Sequence, residues 1–102
     1  MNFEWDDEKN TANIRKHGLD FADAWKVFAS PSLEELDDRD DYGETRWSAL
    51  GILDDRIVKV IFTEPAENTI RIISLRRAIK YEREQFEHAF KNRLGSGRRH
   101  DR

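Results

Sequence analysis

From Thr45 to Ser74 the chain alternates apolar runs with brief polar breaks: "TRWSALGIL", "RIVKVIFT" and "TIRIIS" are separated only by "DD" and "EPAEN". Short runs rich in β-branched residues predict strands, and separators of this size predict hairpins, so the three should form an antiparallel meander. Upstream the period changes. Phe21, Ala24, Trp25 and Phe28 fall at i, i+3, i+4 and i+7, the stripe of an amphipathic helix that Asp20 caps and Pro31 ends, with that stripe facing the core. Before it, Asp6 or Asp7 can cap a first helix running to about His17, where Gly18 supplies the stop, and "FEW" forms a short extended lead-in. A short edge strand around Leu33 to Leu36 precedes an acidic turn at Asp37 to Gly43. After the meander, about Arg77 to Arg93 reads as a helix with Ile79, Phe86, Ala89 and Phe90 along its apolar side. The expected fold class is α+β: two N-terminal helices, an antiparallel sheet of three to four strands and a C-terminal helix. Residues 1–94 are expected to form one domain, and residues 95–102, "GSGRRHDR", a flexible polar tail.

Composition narrows the class. The 102 residues are 38% charged and 37% hydrophobic, and no apolar run approaches the roughly 20 residues that cross a bilayer. The opening "MNFEWDDEKN" is acidic and aromatic where a secretory signal is basic and then apolar, so a cytoplasmic location is expected. Absence of cysteine removes disulfides and thiolate zinc sites, and the three histidines show no metal-ligand spacing. The acidic turn lacks the glycine and terminal glutamate of an EF-hand loop. No metal and no cofactor are therefore expected. Net charge is -3, yet Met1 to Asp55 carries -9 and Arg56 to Arg102 carries +6. A positive half of this kind can attract a polyanion despite the acidic total.

The positive charge is concentrated where strands lie or end. Side chains on a strand alternate faces, so Arg46 shares a surface with Ser48 and Leu50, Lys59 with Ile57 and Ile61, and Arg71 with Ile73. With matching registers, Arg46, Lys59 and Arg71 form a cationic row in an apolar surface, a place for phosphates. Arg76, Arg77 and Lys80 extend it at the junction between the last strand and the last helix. A helix N-terminus there adds N–H donors, and Ser74 can cap it or touch a phosphate itself. Arginine suits this task because its planar fork binds two phosphate oxygens at once. Tyr81 offers a ring for base stacking or a phenol that moves a proton. His17, beside Arg15 and Lys16, is a proton carrier whose neutral form the neighbouring cations favour, and Lys16 can contact substrate. Arg83 and Lys91 read instead as partners of nearby glutamates, His88 as an exposed helix residue, and His100 as part of the tail.

Three stretches in order, "FEWDDEKNTANIRKHGLDFADAWKVF", "DDYGETRWSALG" and "IRIISLRRAIKYEREQFE", resemble the BrnT family of bacterial type II toxin–antitoxin ribonucleases. The likeness runs through nearly the whole chain, to about Phe90. It implies a RelE-like fold and an RNA substrate cut without a metal, the ribose 2′-OH attacking the adjacent phosphate to leave a 2′,3′-cyclic phosphate and a 5′-OH. It also implies a neutralising BrnA-like antitoxin with a ribbon-helix-helix domain, in a heterotetramer, DNA being touched only through that antitoxin. Such chemistry needs a base, an acid and cations around the phosphate. The catalytic candidates are Arg46, Arg71, Arg76 and Arg77 as clamp and charge stabilisers, with His17, Glu44 and Tyr81 as proton carriers; Lys16, Lys59, Ser74 and Lys80 are the RNA-binding candidates. The alternative is a non-catalytic ParE-like toxin, or an interaction module that binds a protein target and an antitoxin.

Overall fold

The computed structural model describes residues 1–98. Its strands are β1 (Asn2–Glu4), β2 (Leu33–Asp37), β3 (Arg46–Leu53), β4 (Arg56–Ala66) and β5 (Thr69–Arg77), and its helices are α1 (Asp7–His17), α2 (Trp25–Phe28) and α3 (Lys80–Arg98), with a 3₁₀ turn at Phe21–Asp23. The strands form one five-stranded sheet in the order β1-β5-β4-β3-β2. Pairing is antiparallel except for β1, which runs parallel to β5, Phe3 opposite Ile70. The class is α+β, but the sheet is mixed and five-stranded where the sequence pattern predicts three or four antiparallel strands. Three residues are too few to display an alternation, and the partner of "NFE" lies across the chain, so the local pattern shows β1 only as an extended lead-in.

The helices also differ from expectation. The segment after Gly18 is not one amphipathic helix: a 3₁₀ turn leads into a single α-turn, and burial falls on Phe21, Ala24, Val27 and the partly buried Phe28. A 3₁₀ turn has three residues per turn, which moves the stripe off the i+4 position and leaves Trp25 50% exposed rather than in the core. Phe28 stacks edge-on against Phe62 at 5.0 Å, and Gly51 of β3 lets this turn sit close, since a Cβ there would lie 2.8 Å from Val27 Cγ1. At the other end, β5 keeps its strand pairing through Arg77, which lies opposite Val58, so α3 begins at Lys80 rather than Arg77. Ile79 thus precedes the helix and is exposed, while Ala78, Phe86 and Phe90 are buried with Leu50. The helix continues through Arg98, into the segment expected as a tail; residues 99–102, with His100, lie outside the described residues. Among the described residues no helix is long and apolar enough to cross a membrane.

Two layers of side chains flank the sheet. On one face Leu53, Val58, Val60, Phe62, Ile72 and Leu75 pack under the N-terminal segment; on the other, α3 covers only the end of the sheet near Leu50 and Ile57. α1 is held by an unusual device. Asp6 caps it by accepting from the Glu8 and Lys9 N–H groups, Gly18 closes it at φ 71°, and its buried residue is the polar Asn13. The Asn13 amide donates to the Leu75 carbonyl (2.8 Å) and the Leu19 carbonyl (3.0 Å) and accepts from the Leu75 N–H (3.2 Å). It thereby supplies the pairing that β5 lacks after β1 has ended at Glu4. Asn13→Ala is expected to strand these buried groups and to lower unfolding free energy by about 3 kcal/mol, read as a shift of the urea midpoint at unchanged slope.

Candidate active site

The face left open beside α3 carries the cations, and strand register sorts them into separate rungs. Lys59 lies opposite both Leu50 and Arg76, whereas Arg46 lies opposite Asp37 and Arg71 lies opposite Thr63. Arg46 is four residues from Leu50 along β3, so the two levels are about 13 Å apart. A single row of Arg46, Lys59 and Arg71 does not form. Arg46 and Arg71 instead line one shallow pocket with Glu44, Lys9 and Asp6, and Lys59 joins Arg76 at the second level. A bulge near Ile61 and Phe62, with Ile73 as the extra residue of β5, shifts the register between the two levels.

At the second level a carboxylate from α3 dominates. Glu82 accepts a two-pronged bond from Arg76 (2.8 and 2.9 Å), a bond from Lys59 Nζ (3.3 Å) and one from the Ile79 N–H (3.0 Å). Ile79 precedes the first turn and Glu82 is its third residue, the spacing at which a glutamate reaches back to close a helix start. The Glu82 side chain is only 10% exposed, and the Arg76 guanidinium first of all, with Ile79 and Lys59, holds its carboxyl at about 2, well below the ordinary 4.5. Arg76 spends both Nη1 hydrogens on Glu82 and the Arg77 carbonyl and one Nη2 hydrogen on Glu82. Its Nε–H and one Nη2–H remain. Ser74 does not cap α3: it sits inside β5 opposite Ile61, and Glu82 occupies the helix start.

The first level is looser. Arg46 Nε donates to Glu44 at 3.2 Å and the guanidinium lies over the Tyr42 ring, 4.0 Å from its centre, with both terminal nitrogens unbonded among the described residues. Arg71 is 50% exposed and approaches Glu4 at 3.6 Å, an ion pair too long for a hydrogen bond. Thr63 is buried between them at the cross-strand position. The Arg46 and Arg71 guanidinium groups, the Lys9 ammonium and the carboxylates of Glu44 and Asp6 thus border a single depression of the surface, open to solvent.

The remaining candidates are distributed around these levels. His17 ends α1, half-buried; burial first, then Lys16 and Arg76, lower its pKa, which favours the neutral imidazole within the field of Arg76. Lys16, Arg77 and Lys80 are exposed and form no ion pair among the described residues. Tyr81 is 66% exposed and borders a second pocket with Ser48, Lys59 and Glu82. Among the described residues no group of three histidines or carboxylates is placed to hold a metal ion. Sequence reasoning sets Arg76 apart from the pairs with nearby glutamates, and the structure corrects this: Glu82 anchors both Arg76 and Lys59, and its three-residue spacing from Ile79 is the signal in the sequence. Sequence reasoning missed Lys9, which α1 brings beside Arg71.

Known proteins give this arrangement its context. A family model described as the ribonuclease toxin BrnT of type II toxin–antitoxin systems matches residues 5–82. The 1.1 Å crystal structure of the Brucella abortus ribonuclease toxin BrnT is similar at 33% identity and a TM-score of 0.61, over 78% of this chain and 99% of that one. No curated protein matches the chain. Agreement of sequence and fold over this length settles the assignment: the chain belongs to the BrnT family of ribonuclease toxins of type II toxin–antitoxin systems, whose partner is a protein antitoxin.

Proposed function

We propose that this toxin is a metal-independent endoribonuclease whose reacting phosphate sits between Arg46 and Arg71. The observation that carries the reading is that these two arginines, from strands not adjacent in the sheet, line one pocket together with Glu44. Glu44 takes the proton of the ribose 2′-OH, the 2′ oxygen forms a bond to phosphorus, and the bond from phosphorus to the 5′ oxygen breaks. Water, which reaches this open pocket, protonates the departing 5′ oxygen. The products are a 2′,3′-cyclic phosphate and a 5′-OH end. Arg46 and Arg71 direct four terminal amino hydrogens at most to each side of the phosphorane, whose added negative charge they offset. Lys59, Arg76, Arg77, Lys80 and the neutral His17 hold the flanking nucleotides, with Ser74 between the two levels and Lys16 at the rim. Tyr81 serves as a stacking surface rather than a proton carrier, because it borders the other pocket.

The neutralising partner proposed with this reading is a BrnA-like ribbon-helix-helix antitoxin in a heterotetramer that alone contacts DNA; family membership supports it, and the acidic residues of β2 and the following turn offer a basic segment a place to dock. One observation favours a second reading, a non-catalytic ParE-like toxin: Arg46, Arg71 and Arg76 each already face a carboxylate, Glu44, Glu4 and Glu82. End-labelled RNA incubated with the purified chain in excess EDTA separates the two. Fragments ending in 2′,3′-cyclic phosphate are expected; cleavage that needs an added divalent ion refutes metal independence, and RNA left intact under all conditions decides for the non-catalytic toxin.

A further inference from the structure

The pocket beside Tyr81 has the chemistry of a nucleobase site, and it lies one step along the sheet from the phosphate position. Glu35 of β2 stands opposite Ser48 of β3, two residues from Asp37 and Arg46 on the same face, a displacement of about 7 Å. Leu33 and Leu50 supply an apolar floor, and Tyr81 an exposed ring at the mouth. Ser48, only 7% exposed, lines the same pocket. Glu35, unlike Glu44 or Glu82, makes no ion pair within the described residues and keeps its carboxylate for a ligand.

We infer that this pocket binds guanine, the Glu35 carboxylate reading its Watson–Crick edge while Tyr81 stacks on its plane. An ionised carboxylate only accepts hydrogen bonds, so it selects a base edge with two adjacent donors. Guanine alone has one, N1–H beside the N2 amino group. Cytosine and adenine set a ring acceptor next to their amino donor, and uracil sets its N3–H between two carbonyls, which a carboxylate repels. Guanine's O6, next to N1–H, matches the Lys59 ammonium, which lines the same pocket and spends one bond on Glu82. Stacking on an aromatic ring adds affinity without choosing a base, so the choice falls to Glu35.

This inference rests on the ribonuclease reading for the position of the phosphate, but not for its test. Binding of the four nucleoside 3′-monophosphates to the full chain, followed by calorimetry or by NMR titration, needs no cleavage. Guanosine 3′-monophosphate is expected to bind at least about fivefold more tightly than the other three, in line with one bidentate base contact. Glu35→Gln is expected to bring the four affinities within about twofold of one another. Tyr81→Ala is expected to weaken all four while keeping the order, and Arg71→Ala to weaken all four through the phosphate. Equal affinities in the wild type, a preference that survives Glu35→Gln, or no binding of any nucleotide would overturn the guanine site. Cleavage mapping on a mixed-sequence RNA is a separate measurement: absence of cutting counts against the ribonuclease mechanism alone, and cutting with no enrichment at guanine counts against the base pocket alone.

Discussion

Arg71→Ala is expected to reduce RNA cleavage by about 10²–10³-fold, the usual loss when one aimed charged donor is removed from a developing negative charge. The protein should remain folded. Arg71 is half exposed, and its contact with Glu4 is a long surface ion pair worth at most about 1 kcal/mol. An unfolding midpoint close to that of the wild type therefore separates a chemical role from a structural one. Glu4→Gln supplies the complementary control, since it frees Arg71 from its one carboxylate; cleavage should be retained or rise. If Arg71→Ala cuts RNA at the wild-type rate, the phosphate position proposed between Arg46 and Arg71 is wrong.

The second large effect lies at the other level of the sheet and concerns stability. Glu82→Gln is expected to lower unfolding free energy at pH 7 by about 3 kcal/mol, because it leaves the Arg76 and Lys59 cations partly buried without their anion. Its dependence on pH follows from the direction of the titration shift. The folded-state pKa, about 2, lies below the ordinary 4.5, so the anionic form is favoured by folding. The stabilisation is fully present above about pH 4.5 and is lost as pH falls toward 2. Denaturation curves of wild type and variant should thus differ most near neutrality and converge in acid. A gap that persists at the lowest pH would mean that the side chain acts through packing and not through charge.

Much of the fold could be read from local chemistry. Asp6 and Gly18 bracket α1 because an oxygen-bearing cap and a residue tolerant of positive φ are both needed there, and the meander follows from apolar runs with short separators. What escaped was long-range. β1 exists because β5 offers it an edge, and Asn13 is buried because Leu75, 62 residues away, needs its amide. Neither fact leaves a mark in a local window. The candidate site divides in the same way. Alternation places Arg46 with Ser48 on one face, but only the register, shifted by the bulge near Ile61, decides that Arg46 keeps company with Arg71 and Lys59 with Arg76. Trp25 shows how a change of local helix type defeats a periodicity argument: one 3₁₀ turn is enough to rotate a large ring out of the core.

The dependence of the first seventeen residues on β5 also bears on how the toxin is made. During synthesis the opening segment leaves the ribosome long before Thr69 to Arg77, so neither β1 nor the Asn13 clasp has anything to grip until β5 has been made. A message broken ahead of the Thr69 codon yields a polypeptide without the strand that bears Arg71 and seats its own beginning. A ribonuclease that cut its own transcript there would for that reason release fragments unable to complete this sheet.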